Sequence, residues 1–201
     1  DIARARRAGL LALAFDLEGG VPLAGRPEMV FLYRDLGVRQ IHLAYNRNNE
    51  LCGGCYDTPM SLTALGRRVV AAINAAGVLM DLSHTGEMSA FDIIEASTAP
   101  VVFSHSNPKS LADDRRNISD ALIDAGAKSG GVVCANGVGK FLGDPDAGTD
   151  RVVRAIDTLV GRIGPAHVGI GLDYSYEQGI DDEMGAKVVH AVEDSIRARR
   201  R

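Results

Sequence analysis

The chain has 201 residues, enough for one sizeable domain, and its 46% hydrophobic and 24% charged content is that of an ordinary globular protein. Its formal net charge of −4 argues against broad binding to a phosphate backbone, which needs a basic surface, so no nucleic-acid partner is expected. No apolar run approaches the roughly 20 residues of a membrane span, and no secretory leader opens the chain, so no transmembrane segment and a cytoplasmic location are expected.

In chain order, residues 1–8 read as a helix leading straight into a buried strand. Short apolar runs, often β-branched and bounded by Gly, Pro or charge, predict strands at 10–15, 38–44, 78–82, 101–104, 131–135 and 168–171, each suited to burial on both faces. Longer amphipathic stretches predict helices at 28–36, 62–76, 87–97, 119–129, 149–163 and 183–199. Ser61 or Thr63 can cap the second of these, and Gly77 can end it in the left-handed conformation. Asn117 or Ser119 can cap the fourth, Gly130 follows it, and Gly164-Pro165 stops the fifth.

The recurring unit is strand, loop, helix, which implies a parallel sheet. It can close as an open doubly wound sheet or as a (β/α)8 barrel that has lost two units. The polar residues favour the barrel. Glu18 follows the first strand, Tyr45 and Asn46 the second, His84 the third, His105 the fourth, Asn136 the fifth and Asp173 the sixth. A closed ring brings groups at the carboxyl ends of its strands together, and barrel enzymes work at that rim. An open sheet would spread them along a line. The expected fold is therefore α/β, a (β/α)8 TIM-barrel-like domain spanning residues 1–201, here an incomplete barrel of about six units.

No GxGxxG or GxxxxGK[ST] phosphate loop is present. Cys52 and Cys55 form a C-x-x-C pair that could be redox-active or half of a zinc ribbon, but Cys134 stands alone and supplies no second pair. The simpler reading is two loop thiols in a reducing compartment.

His84 and His105 carry the sharpest chemical signal. Two neighbouring strands end in the same Ser-His step, and neighbouring strands lie about 4.8 Å apart, so both imidazoles can reach one ion. Two buried histidines bonded to backbone carbonyls would leave the same pattern. Glu18, a carboxylate before two flexible glycines, could bridge cations or be a surface charge. Arg116, in Arg115-Arg116-Asn117, suits two-point binding of a carboxylate, or it is a solvated arginine at a helix start. Asp173 could position or deprotonate a metal-bound water. Asp16 and Asp81 lie in or near strands, with Asp81 a supporting group, and His42 reads as a core or barrel-wall histidine. His167 and His190 read as structural or exposed.

Taken together, Glu18-Gly19-Gly20, Leu36-Gly37-Val38-Arg39, Leu62-Thr63-Ala64-Leu65-Gly66, Asp81-Leu82-Ser83-His84, Ser104-His105-Ser106-Asn107, Arg115-Arg116-Asn117-Ile118-Ser119-Asp120, Gly130-Gly131-Val132 and the segment from His167 to Asp173 follow one another in the order found in the renal (membrane) dipeptidases. From about residue 10 to about residue 176 the chain resembles that amidohydrolase-like metallopeptidase family, M19. The resemblance implies a (β/α)8 barrel with two zinc ions, Glu18 bridging both and His84 and His105 on the second. It implies Arg116 on the substrate's terminal carboxylate, Asn46 and Tyr45 near the substrate, and Asp173 on the bridging water. The implied reaction is hydrolysis of dipeptides or related small amides by a metal-activated water.

Two features depart from the family pattern. The His-x-Asp pair that completes the family's first metal site is absent, which points to an incomplete chain lacking the N-terminal strands. Tyr45 stands where the family has a substrate-binding histidine; a phenol can donate to an oxyanion but titrates near 10. These departures motivate an alternative, an inactive or truncated homologue acting as a binding or assembly protein. A phosphate-binding α/β enzyme is the third possibility, weakened by the missing phosphate loops. Unpaired barrel edges predict association with a second copy, a homodimer.

Overall fold

A computed structural model describes residues 2–174. Helix α1 (Ile2–Arg7) is followed by strand β1 (Phe15–Leu17), α2 (Met29–Asp35), β2 (Val38–His42), α3 (Ala64–Ala76), β3 (Leu79–Asp81), α4 (Glu87–Ala96), β4 (Val101–Phe103), α5 (Asp120–Lys128), β5 (Val132–Ala135), α6 (Thr149–Ile163) and β6 (Val168–Ile170). The helix expected at 183–199, with His190, lies outside the described residues.

The six strands form one parallel sheet in the order β1-β2-β3-β4-β5-β6. That order never reverses, so there is no switch point of the kind a doubly wound sheet contains. Helices α2 to α6 pack in succession, each against the next. This is the winding of a barrel wall, and it puts every strand's carboxyl end on one rim. The chain thus has the α/β architecture of a TIM-barrel-like fold, with five strand–helix units and a sixth strand among the described residues.

The first strand departs from expectation. It begins at Phe15 rather than near residue 10, and Leu10, Leu11 and Leu13 are 68%, 83% and 84% exposed. Its only neighbour among the described residues, β2, starts at Val38, which pairs with Phe15, so earlier residues meet no strand on that side. An apolar run shows what a segment would bury, not whether a partner reaches it.

Period-two alternation divides the other strands. Ile41, Met80, Phe103 and Val133 join the apolar core with Val69, Val70 and Ile73 of α3, Ile93 of α4, Leu122 and Ile123 of α5 and Leu159 of α6. On the opposite face Gln40 and His42 meet Asp81. Of the alternative caps, Thr63 accepts from the Gly66 N–H at 3.0 Å and Ser119 from the Leu122 N–H at 3.3 Å. Gly77 ends α3 at φ 65°. Asn117 instead donates its amide to the carbonyls of Ala112 and Phe141.

Just past β6, a Cβ on Gly171 would lie 1.7 Å from the Ser104 carbonyl oxygen. Glycine there lets the segment leading to Asp173 run against the backbone that carries His105. Gly171→Ala is expected to destabilise the protein by about 1–3 kcal/mol, the usual cost of overpacking, as measured by urea denaturation. Wild-type stability would show that the backbone yields freely at this point.

Candidate metal centre

Glu18, His84 and His105, from the loops after β1, β3 and β4, bring one ligand atom each to within 4.8 Å of one another. Glu18 Oε1 lies 3.7 Å from His84 Nε2 and 3.4 Å from His105 Nε2, and the two Nε2 atoms are 2.7 Å apart. Both rings are buried, while Glu18 is part-exposed. The other ring nitrogens are engaged: His84 Nδ1 meets Asn46 Oδ1 at 2.8 Å, and His105 Nδ1 meets Ser104 Oγ at 2.7 Å. Assigned from these partners, the Nδ1–H tautomers leave both Nε2 lone pairs facing Glu18.

The electrostatics suit a cation. Burial and the Arg116 charge lower the His84 pKa against the pull of Glu18, and burial with Arg116 lowers His105 to about 4, so both imidazoles are neutral at pH 7. Two neutral imidazoles and a carboxylate form a donor set of the kind zinc accepts, with room for further ligands on the part-exposed side. The residues fit the metal.

Arg116 is 4% exposed, and its Nη2 lies 3.4 Å from both His84 Nε2 and the His105 carbonyl oxygen. Among the described residues no carboxylate forms an ion pair with it. Arg115 is different: it donates to the Tyr56 and Asp57 carbonyls at 2.7 and 2.9 Å and is used up in holding the loop. Buried charges are ordinarily paired, so Arg116 is suited to an anion brought in from outside.

The remaining expected residues are placed as follows. Tyr45 stacks on His84 with ring centroids 4.4 Å apart and is 52% exposed. Asn46 turns its amide oxygen to His84, so it orients a histidine. Asp173 is exposed, and its Oδ2 accepts from Asn136 Nδ2 at 3.1 Å. Asn46, His84 and Asp173 have φ of 64°, 69° and 59°, and they are three of the four non-glycine residues with positive φ among those described. Strained backbone of this sort gathers at functional sites. The three cysteines are free thiols. His167 contacts the Gly131 carbonyl at 2.8 Å, a structural contact.

A second cluster lies beneath this one. His42 Nε2 is 3.0 Å from Asp16 Oδ2 and 3.1 Å from Asp81 Oδ2, and Nδ1 is 3.1 Å from the Ser83 carbonyl oxygen. The sequence named these residues separately and did not join them. Acceptors face both ring nitrogens, so His42 is an imidazolium. Burial favours its neutral form, but hydrogen bonds to Asp16 and Asp81 prevail and raise its pKa to about 10. Burial likewise opposes the charge on Asp81, yet His42 and the Ser104 and Ser83 contacts hold it at about 2.

The residues 1–192 match the family described as membrane dipeptidase (peptidase family M19). Dipeptidase tcpJ of Claviceps purpurea is 31% identical over 191 residues, covering 90% of this chain and 45% of that protein. An amidohydrolase from Pseudomonas aeruginosa superposes with a TM-score of 0.85 at 30% identity, over 89% of this chain and 55% of the other. A metallo peptidase from Rhodobacter sphaeroides, solved with a phosphinate mimic of the dipeptide L-Ala-D-Ala, superposes with a TM-score of 0.80 at 29% identity, over 98% of this chain and 60% of the other. The chain thus spans about half the length of these relatives. The unreversed parallel wall and the ligand cluster on its rim define the class, a TIM-barrel-like fold with a candidate metal centre. Within that class, the chain belongs to the membrane dipeptidase family, M19. Among the described residues no helix is long and apolar enough to cross a membrane.

The paired charges set a pH dependence. A pKa raised from 6.5 to about 10 means His42 stabilises the fold fully below pH 6.5 and loses that contribution as pH rises toward 10. Asp81, lowered from 3.8 to about 2, contributes above pH 3.8 and loses its part as pH falls toward 2. The stability gap between wild type and His42→Gln, measured by urea denaturation, should be widest between these limits and shrink toward pH 10. A gap independent of pH would rule out the imidazolium.

Proposed function

We propose that this protein hydrolyses dipeptides or related small amides, with zinc held by Glu18, His84 and His105. The observation that carries the reading is the convergence of two neutral Nε2 atoms and one carboxylate oxygen beside the buried guanidinium of Arg116, which has no ion-pair partner among the described residues. Family membership supports it, as does the dipeptide mimic bound by the Rhodobacter sphaeroides relative.

Bound zinc supplies a Lewis acid and lowers the pKa of water from 15.7 to about 7. In this reading the protein's own groups do the rest. Arg116 takes the substrate's terminal carboxylate in a two-point contact, which fixes the scissile amide against the histidine pair. Asp173, steered by Asn136, accepts a proton from the attacking water. The Tyr45 hydroxyl donates to the carbonyl oxygen as negative charge grows there. In this reading Glu18, His84 and His105 are the chain's own ligands for one ion, and one zinc per chain is expected.

Elemental analysis should find one equivalent of zinc in wild type and far less in His84→Ala and His105→Ala, with cleavage of Gly- or Ala-containing dipeptides lost in parallel. Wild type that binds no metal would sink the proposal. Dipeptide binding without turnover would favour the alternative of an inactive binding homologue, which the absent His-x-Asp pair and Tyr45 motivate. For Arg116→Ala, loss of a charge-assisted contact worth about 1.5–3 kcal/mol should lower kcat/KM by about 10- to 100-fold. That loss should appear for dipeptides with a free carboxylate and vanish for carboxy-terminal amides; an equal loss for both would remove Arg116 from carboxylate recognition.

A further inference from the structure

We propose that the buried Asp81 carboxylate, acting with His42, is a positioning device that holds Glu18, His84 and His105 at metal-binding spacing. The proposal rests on the metal site described above. Asp81 is fully buried and stands at the last residue of β3. Its Oδ1 accepts the backbone N–H of Ser83 at 2.8 Å and of Ser104 at 3.2 Å. These serines immediately precede His84 and His105. Its Oδ2 accepts from Gln40 Nε2 at 2.8 Å and faces His42 Nε2 at 3.1 Å. The same His42 nitrogen lies 3.0 Å from Oδ2 of Asp16, two residues before Glu18. Ser83 adds a further tie, accepting the His105 N–H on its hydroxyl at 3.1 Å.

The placement has a physical reason. The last ladder bond between the third and fourth strands runs from the Leu82 N–H to the Val102 carbonyl, at 2.8 Å. Beyond it the strands must part so that His84 and His105 can turn inward, and the next amides lose their strand partners. Asp81 Oδ1 takes two of them at once and pins the two strand ends to each other. Through Oδ2 and His42 it pins them to β2 and β1 as well. One carboxylate therefore reaches one residue before each histidine and, through one imidazole, two residues before the glutamate. A metal site whose donors are already spaced for the ion loses less free energy in ordering them, and groups behind the ligands commonly control affinity in this way.

Asparagine is a sharp probe here, because all four groups around Asp81 are donors: two backbone N–H groups, Gln40 Nε2 and His42 Nε2. Whichever way the amide of Asp81→Asn is turned, its nitrogen faces two donors and either the strand-end pair or the β2 pair comes apart. Zinc affinity should be measured on the full chain by competition with a chelating indicator, at a temperature where circular dichroism shows the metal-free variant folded. Asp81→Asn is expected to retain one zinc per chain and bind it about 10- to 100-fold more weakly, the range typical of groups that orient ligands. Asp16→Ala, at a side chain that is 33% exposed and so tolerant of change, should show a smaller loss in the same direction. A structural role alone would lower the melting temperature of the metal-free protein and leave affinity per folded molecule unchanged. Wild-type affinity in a folded Asp81→Asn, or in Asp16→Ala where Asp81→Asn does not fold, overturns the proposal. A second zinc equivalent in wild type that Asp81→Asn loses also overturns it, because Asp81 would then be a ligand. Wild type that binds no zinc at all is a separate result, which removes the metal site itself.

Discussion

Everything at the rim depends on one constraint: six parallel strands succeed one another in space in the order they occur along the chain. Parallel strands finish at the same edge, and an order without reversal keeps their helices packed in succession along the wall. The loops that follow β1, β3 and β4 are then neighbours. Glu18, His84 and His105, far apart in sequence, meet within 4.8 Å as a result. The apolar face supplies the stiffness, with Ile41, Met80, Phe103 and Val133 set against the helices. The opposite face is free to carry polar groups.

Those polar groups form two layers of different electrostatic character. In the lower layer His42 is charged and its charge is matched by Asp16 and Asp81, so the burial cost of the ions is offset by direct pairing. In the upper layer burial and the Arg116 charge keep His84 and His105 neutral. Neutral imidazoles are what a metal requires. The two layers touch through Ser83 and Ser104, whose main-chain amides bond to Asp81 and whose neighbours in sequence are the two histidines. Arg116 completes the pattern as a buried cation with no acid of its own among the described residues.

The chain alone made legible the alternation of strand and helix, the caps at Thr63 and Ser119, and the placing of acid and imidazole just past the strand ends. These are local matters of period, turn chemistry and residue type. Strand order alone settled the choice between barrel and open sheet, and the start of β1 was fixed by where its partner begins, neither of which a hydrophobic run encodes. The tertiary structure also decided the roles of single side chains. It separated Arg116, buried and without an ion-pair partner among the described residues, from Arg115, which is tied to the Tyr56 and Asp57 carbonyls. It turned Asn46 toward a histidine ring and gathered Asp16, His42 and Asp81 into one charged group. Such pairings join residues as much as 59 positions apart, as Tyr56 and Arg115 are, and only the closing of strands side by side brings them within hydrogen-bonding reach.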